Sequence, residues 1–331
     1  MRWRVLLAAL CVLTLLGSAC GDDDGGGDDG GDGGEQVRVG MALPGPKNDR
    51  GFNQAHYQGL LDAEEQRGIE GTVVENVVDP QARIDALRNL AADNDLVIGV
   101  GGEYAEAGTT IAPQFPDVEF AIINGEQTED ENLHIYFVRQ GTPAYIAGVL
   151  AAQLTQSGKV GYLGGELIPP TTQSDDAMQA AVEATDPDVE YVSTIVGNFN
   201  DAERAKEAAA AQIAGGADVI YALLDAGFPG VLQAVEESGQ DVLTMNPIFP
   251  RCEEDPSIVG YTYLNSARMV VDIVQQFEDG SMPQGEPRFY GLENPDIQAY
   301  VLCPGYEDHQ GTVDDLTAQI DGGEIELPEG V

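Results

Sequence analysis

From residue 36 onward, short runs of branched apolar residues alternate with longer stretches whose apolar positions recur every three or four residues. The short runs at 37–43, 72–78, 96–100 and 119–123 are mainly apolar, as strands covered on both faces are. Between them, 53–67, 81–92 and 104–114 carry helical periodicity, with Gly68 after the first and Pro116 just past the third as stop signals. Strand and helix in strict alternation predict a parallel, doubly wound sheet.

The pattern then repeats. Residues 134–139 read as extended and 143–156 as strongly helical, with Thr142 as cap. Strands at 159–163, 189–196, 218–224 and 242–245 alternate with helices over 175–184, 202–214 and 229–237. The tail supplies a strand at 258–264, a helix at 266–278, a strand at 298–302 and a helix near 313–320. These pieces are too few to bury a core of their own. They are expected to cross back and complete the two earlier units. The expected architecture is therefore α/β, with two doubly wound lobes. Lobe 1 spans 36–139 plus about 262–295, and lobe 2 spans 140–261 plus about 296–331. Several crossings between two lobes make a multi-stranded hinge, and a hinge makes a cleft.

The first residues follow a different pattern. Arg2 and Arg4 precede an apolar run over 5–16, and the small residues Gly17, Ser18 and Ala19 follow. Residues 1–19 thus read as an export signal. The run is too short for a bilayer of ~30 Å, which takes roughly 20 residues of helix. Cys20 comes next, and the arrangement resembles the lipobox of bacterial lipoproteins, in which that cysteine is lipidated and becomes the new N-terminus. Gly17 stands where that motif usually has Leu. The alternative is a secreted protein in which Cys20 is incidental. Residues 21–35 are almost wholly Gly and Asp, and a Gly-rich coil of that length spans roughly 20–23 Å. Together, 20–35 read as a lipidated cysteine and a flexible tether, anchored on the extracytoplasmic face of the cell membrane.

Charge narrows the partners. There are 57 acidic against 15 basic residues, a net charge of −42. Only Asp22, Asp23, Asp24, Asp28, Asp29 and Asp32 of these acids lie in the Gly/Asp tract, so the excess covers the folded part. Such a surface repels nucleic acid and anionic headgroups. No compact acidic group has metal-loop spacing, so no metal is expected, nor any cofactor. His56, His134 and His309 stand far apart, and no G-x-S-x-G occurs, so no catalytic constellation is present and no enzyme is indicated. Cys11 leaves with the signal and Cys20 is the lipidation candidate. Cys252 and Cys303 remain, and outside the cytoplasm two such thiols tend to pair. The alternative is two isolated buried thiols.

Candidate chemistry gathers at strand ends. Gly99-Val100-Gly101-Gly102 follows a strand, but Tyr104 occupies the third glycine's place in a dinucleotide fingerprint. It reads as a tight turn facing the cleft, and Gly164-Gly165 is the same device in the other lobe. The segment 46–54 leaves the first strand at its carboxyl end, where open α/β sheets bind ligands. It offers charge, an aromatic and an amide in Asp49, Arg50, Phe52 and Asn53. The alternative is a solvated loop with Asn53 as helix cap and Phe52 as staple.

These residues carry a resemblance. DRGFNQAHYQGL at 49–60 is similar to the D-x-S-F-N-Q…G-L signature of the basic membrane protein (Bmp) family of lipoproteins. DLVIGVGG at 95–102, FPDVEFAIING at 115–125, GTPAYIAGVLAAQLTQSGKVGYLGG at 141–165 and GNFNDAERAKEAAAAQIAGGADVIYALLDAGFPGVLQAV at 197–235 continue it in order. The resemblance implies a periplasmic-binding-protein type I fold and a substrate-binding component of an ABC importer, handing a nucleoside-like ligand to a membrane permease as a monomer. It implies a base held between two aromatics, one per lobe, at Phe52 and Phe228. Asp49, Asn53, Tyr104, Asp225, Gly227 and Asn265 are expected beside them. Two family aspartates are replaced, by Asn124 and Asn246. An amide both donates and accepts where a carboxylate only accepts, so a non-nucleoside ligand such as a flavin or an amide stays open, as does turn chemistry for both asparagines. Two other roles remain as alternatives, a sensory module signalling to a membrane partner and an enzyme of nucleoside turnover.

Overall fold

Val39, Met41, Leu96, Ile98, Phe120 and Ile122 expose no surface, which is why their strands read as unbroken apolar runs. The computed structural model describes residues 36–49, 51–125, 130–246 and 250–328. The expected export signal, Cys20, the Gly/Asp tether and Arg50 lie outside the described residues.

The first half of the chain runs β1 (Arg38–Ala42), α1 (Phe52–Arg67), β2 (Glu70–Val74), α2 (Pro80–Ala91), β3 (Leu96–Val100), α3 (Ala105–Ile111), β4 (Glu119–Ile123) and β5 (Leu133–Val138). The second runs α4 (Gly141–Leu154), β6 (Lys159–Gly164), α5 (Pro169–Thr185), β7 (Glu190–Ile195), α6 (Ala202–Ala214), β8 (Val219–Leu223), α7 (Phe228–Ser238) and β9 (Leu243–Asn246). The tail adds β10 (Ile258–Leu264), α8 (Ser266–Glu278), β11 (Arg288–Tyr290), β12 (Gln298–Leu302) and α9 (Gln310–Asp321).

Two six-stranded sheets result, ordered β2-β1-β3-β4-β5-β11 and β7-β6-β8-β9-β10-β12. Their ladders are parallel except that β10 and β12 run antiparallel. The two orders are the same, so each lobe reverses its winding at one place, between β1 and β3 and between β6 and β8. Those are the points at which such sheets bind ligands.

The tail completes both lobes. α8 packs on α1, so closely that a Cβ on Gly59 would stand 2.7 Å from the Ala267 backbone. β11 extends the first sheet beyond β5, and β12 extends the second beyond β10. The chain therefore passes between sheets after β5, after β10 and again between β11 and β12. The middle crossing falls at Asn265 rather than near 262, because Leu264 is still paired with Gln298 in the second sheet.

Local chemistry explains other boundaries. β2 ends at Val74, earlier than its apolar run, and Asn76 turns the chain with φ 62°. α5 begins at Pro169, earlier than its periodicity, because proline suits a first helical turn. A disulfide joins Cys252 to Cys303 with Cα atoms 5.3 Å apart, tying the segment after β9 to the end of β12. Among the described residues, no helix is long and apolar enough to cross a membrane.

Candidate functional site

The segments that leave the parallel strands at their carboxyl ends converge on one cleft of about 570 Å³ between the lobes. The first lobe lines it with Pro44 and Gly45 after β1, Gly101, Gly102 and Glu103 after β3, and Asn124 after β4. Phe52 and Asn53 from α1 and Arg83 from α2 join them. The second lobe contributes Gln140 after β5, the run from Glu166 to Pro170 after β6, Phe199 and Asn200 after β7, and Asp225 after β8. Both winding reversals therefore open onto the same space.

The loop before α1 is held by one carboxylate. Asp49 Oδ1 accepts the amides of Gly51 and Gln54 at 2.8 and 3.0 Å, and Oδ2 accepts from the Asn53 amide and side chain at 3.1 and 2.7 Å. A carboxylate at a helix N-terminus also meets the positive end of the dipole. Asn53 in turn accepts the Gly45 amide at 3.0 Å. Asp49 is thus the cap, and Asn53 ties the β1 exit to the helix. That leaves the Phe52 ring half-buried at the cleft, 4.3 Å from the ring of His56. His56 donates from Nδ1 to the Phe52 carbonyl at 2.7 Å, and complete burial pushes its ring down to about 4.

In the second lobe the Phe199 carbonyl accepts both the Asp225 and Gly227 amides at 3.0 Å, and Asn200 Oδ1 accepts the Ala226 amide at 3.3 Å. These bonds lock the β7 and β8 exits together and set the half-buried Phe199 ring in the cleft. Gly227 lies behind that carbonyl, where a Cβ would come within 2.9 Å of it, so its role is close approach. Asp225 stands in the cleft with Oδ1 buried and without a hydrogen-bond partner. Burial pushes its carboxyl up to about 7, the Asp49 charge adds to the push, and Arg251 opposes it.

Two further cleft atoms are buried without a partner, Gln140 Oε1 and Arg83 Nε. Such atoms cost free energy unless something satisfies them. Glu103 and Glu166 face the same space from opposite lobes. Desolvation by the walls raises the Glu103 carboxyl, against the opposing Arg83 charge and with Glu166 adding to the rise.

The expected site residues divide. Phe52, Asn53, Asn124 and Asp225 line the cleft. Asn124 sits at φ 59°, and its Oδ1 accepts the Val138 amide at 3.0 Å, so turn chemistry and cleft position coincide in one residue. Phe228 does not reach the cleft: it begins α7 with no exposed surface, in the core with Leu163, Val231 and Cys303. The aromatic that the second lobe does present is Phe199. Tyr104 is likewise fully buried, in the core with Leu87 and Phe120. Asn265 caps α8, accepting the Arg268 amide at 3.0 Å. Asn246 ends β9, and its side chain lies outside the described part. Arg83, Glu103, Gln140, Glu166 and Phe199 also line the cleft and are absent from the expected set. For the two glutamates a signal existed, since each directly follows a Gly-Gly pair at a strand end. Among the described residues, no group of His, Cys, Asp and Glu could hold a metal ion.

Residues 36–329 match the family model of PnrA-like ABC transporter substrate-binding proteins, Bmp. The chain belongs to this family. A purine-binding protein of Brucella abortus is 29% identical over 189 residues, 56% of this chain and 54% of that protein, so the match spans about half of that relative. The ABC transporter nucleoside-binding protein BmpA of Lactococcus lactis is 24% identical over 75% of this chain and 76% of its own. Among solved structures, a solute-binding protein of an ABC transporter system from Aeropyrum pernix K1 superposes with a TM-score of 0.76 at 20% identity, covering 88% of this chain and 94% of that one. Another, from Conexibacter woesei, gives 0.66 at 24% identity, covering 89% and 99%. These two likenesses show the fold, that of type I periplasmic binding proteins. The Bmp family and these neighbours are solute-binding proteins, not enzymes. Bmp proteins of this kind bind small molecules outside the cytoplasm and work with a membrane permease.

Proposed function

We propose that this protein captures a nucleoside-like ligand between Phe52 and Phe199 and delivers it to its permease as a lipid-anchored monomer. The observation that carries the reading is the cleft itself. Two aromatics from opposite lobes stand beside buried, unpartnered polar atoms of Asp225, Gln140 and Arg83. A flat heterocycle suits the rings, since stacking adds ~0.5–1.5 kcal/mol beyond burial. Its polar edge or sugar suits the unpartnered atoms. The relatives named for purine and nucleoside binding support the same class. Three passages of chain between the lobes serve as the hinge on which they close.

Cys20 is the anchor in this reading, and the Gly/Asp stretch the tether that lets the cleft reach a permease. A single acyl chain gives only marginal binding, so more than one lipid chain is required. The test is calorimetry of the purified protein against adenosine, guanosine, inosine and the free bases. Binding of at least one is expected, and no heat from any at millimolar concentration refutes the nucleoside reading. A Cys20→Ala protein should appear in the soluble fraction; one that stays membrane-bound places the anchor elsewhere.

A further inference from the structure

Among the described residues, the charged groups of the cleft do not balance. Among the described residues, the acids that line it are Glu103, Glu166 and Asp225, and the base is Arg83. Of the described bases nearby, Lys47 pairs with Glu75 at 3.8 Å and Arg139 with Glu293 at 3.2 Å, while Arg251 pairs with Glu254 at 3.3 Å and also acts on Asp225. Asp49, which acts on Asp225 from the first lobe, adds a further negative charge behind Phe52.

The hydrogen-bonding inventory tilts the same way. Gln140 is 4% exposed, and its Oε1 is buried without a partner. Asp225 Oδ1 is in the same position. Both are acceptors, and the carboxylates of Glu103 and Glu166 accept only, when ionised. Among the described side chains of the cleft, the buried donor without a partner is Arg83 Nε. Among the described side chains that line the site, the buried unmatched acceptors therefore outnumber the buried unmatched donor, and negative charge prevails.

We infer that the ligand carries a positive charge, held between Glu103 of the first lobe and Glu166 of the second, and that phosphorylated compounds are rejected. The inference rests on the proposed reading that this cleft is the ligand site. It does not depend on the ligand being a nucleoside. A cation placed there adds positive charge where three lining acids, Glu103, Glu166 and Asp225, meet one lining base, Arg83. It also draws the lobes together, because each lobe brings one of the two carboxylates. An anionic group would add a further like charge to a space already crowded with them, which is discrimination by repulsion. The Glu103 and Asp225 carboxyls stand above their free values mainly through burial, with Glu166 and Asp49 respectively adding a smaller push.

The test uses a pair of probes that differ in charge and hardly in shape: nicotinamide riboside, whose pyridinium ring is cationic, and its neutral dihydro form. Adenosine and adenosine monophosphate form a second pair. Calorimetry on the purified protein at low salt should show the pyridinium bound at least tenfold more tightly than the dihydro form. Adenosine monophosphate should bind at least tenfold more weakly than adenosine. Glu103→Gln and Glu166→Gln, with melting temperatures that show them folded, should each reduce the charge preference, and the double variant should abolish it. Equal binding within the first pair, no binding of the pyridinium at millimolar concentration, or full preference in the double variant overturns the inference. If neutral nucleosides bind and Phe199→Ala weakens them, the cleft reading stands although the charge inference has failed. If Phe199→Ala and Phe52→Ala leave all binding unchanged, the cleft reading itself has failed.

Discussion

The ring of Phe199 rests on the backbone of Gly165: a Cβ placed on that glycine would meet Phe199 Cδ1 at 2.1 Å. A ring cannot yield by that much without leaving its place, so the second Gly-Gly pair positions the aromatic wall of the cleft. Gly165→Ala should therefore reduce ligand affinity at least tenfold through a residue that offers the ligand no side chain. Phe199→Ala should lose a similar amount, and the double variant little more than either single one, because both remove the same contact. Calorimetry on the four proteins checks this. Independent, additive losses would show that Gly165 acts by another route.

Phe199 and Phe228 should separate cleanly in their effects. Phe228 is fully buried in the second-lobe core, and Arg251 lies over its ring at 5.6 Å. Replacing a buried phenylalanine by alanine typically costs about 3–5 kcal/mol. Phe228→Ala should thus lower the denaturation midpoint strongly, whereas Phe199→Ala should lower it little and reduce binding instead. Urea unfolding and calorimetry on both variants distinguish the two roles. A Phe228→Ala protein of unchanged stability but lost binding would return Phe228 to the cleft.

Two buried groups should pull stability in opposite directions with pH. His56 is held at about 4, below its free value of 6.5, so the unfolded chain takes up its proton first. Its contribution is present above 6.5 and is lost as pH falls toward 4. Asp225 is raised from 3.8 to about 7, so its folded form keeps the proton longer. That contribution is present below 3.8 and is lost as pH rises toward 7. Each group acts with a slope of up to ~1.4 kcal/mol per pH unit. Between about pH 4 and 6.5 the two largely cancel. In ligand-free protein, Asp225→Asn should expose the His56 slope, and the melting temperature should climb more steeply over that window than in wild type. A parallel pair of curves would show that Asp225 titrates normally.

The fold was legible because buried parallel strands announce themselves. β3, with every residue buried, is a continuous apolar run, and the glycine and proline stops beside α1 and α3 are local signals. The short β11 was missed, since Arg288-Phe289-Tyr290 carries no such run and its place is set by pairing with β5. The cleft was legible in part. Phe52 and Asn53 open α1, directly after the loop that leaves the first strand. Phe228 and Phe199 could not be told apart, because both stand near strand ends in the second lobe. Which one faces the ligand depends on the amides of Asp225 and Gly227 folding onto the Phe199 carbonyl. Arg83 reaches the cleft from within a helix, where nothing local marks it.

Asp225 also predicts what happens to protons when the ligand arrives. Its carboxyl is held at about 7 by burial and by the charge of Asp49, with Oδ1 unpartnered. A ligand that donates a hydrogen bond to Oδ1, or brings a positive charge near it, stabilises the ionised form and lowers that value. Binding should then release up to one proton at pH 6, where Asp225 of the ligand-free protein is mostly protonated, and almost none above about pH 8. Affinity should rise with pH up to about 7 and level off beyond it. Calorimetry at pH 6 in phosphate and in an imidazole-type buffer, whose ionisation enthalpies differ, measures the proton count directly. Asp225→Asn should remove both the release and the pH dependence. Proton uptake on binding would show instead that the carboxyl stays protonated and donates to an acceptor on the ligand.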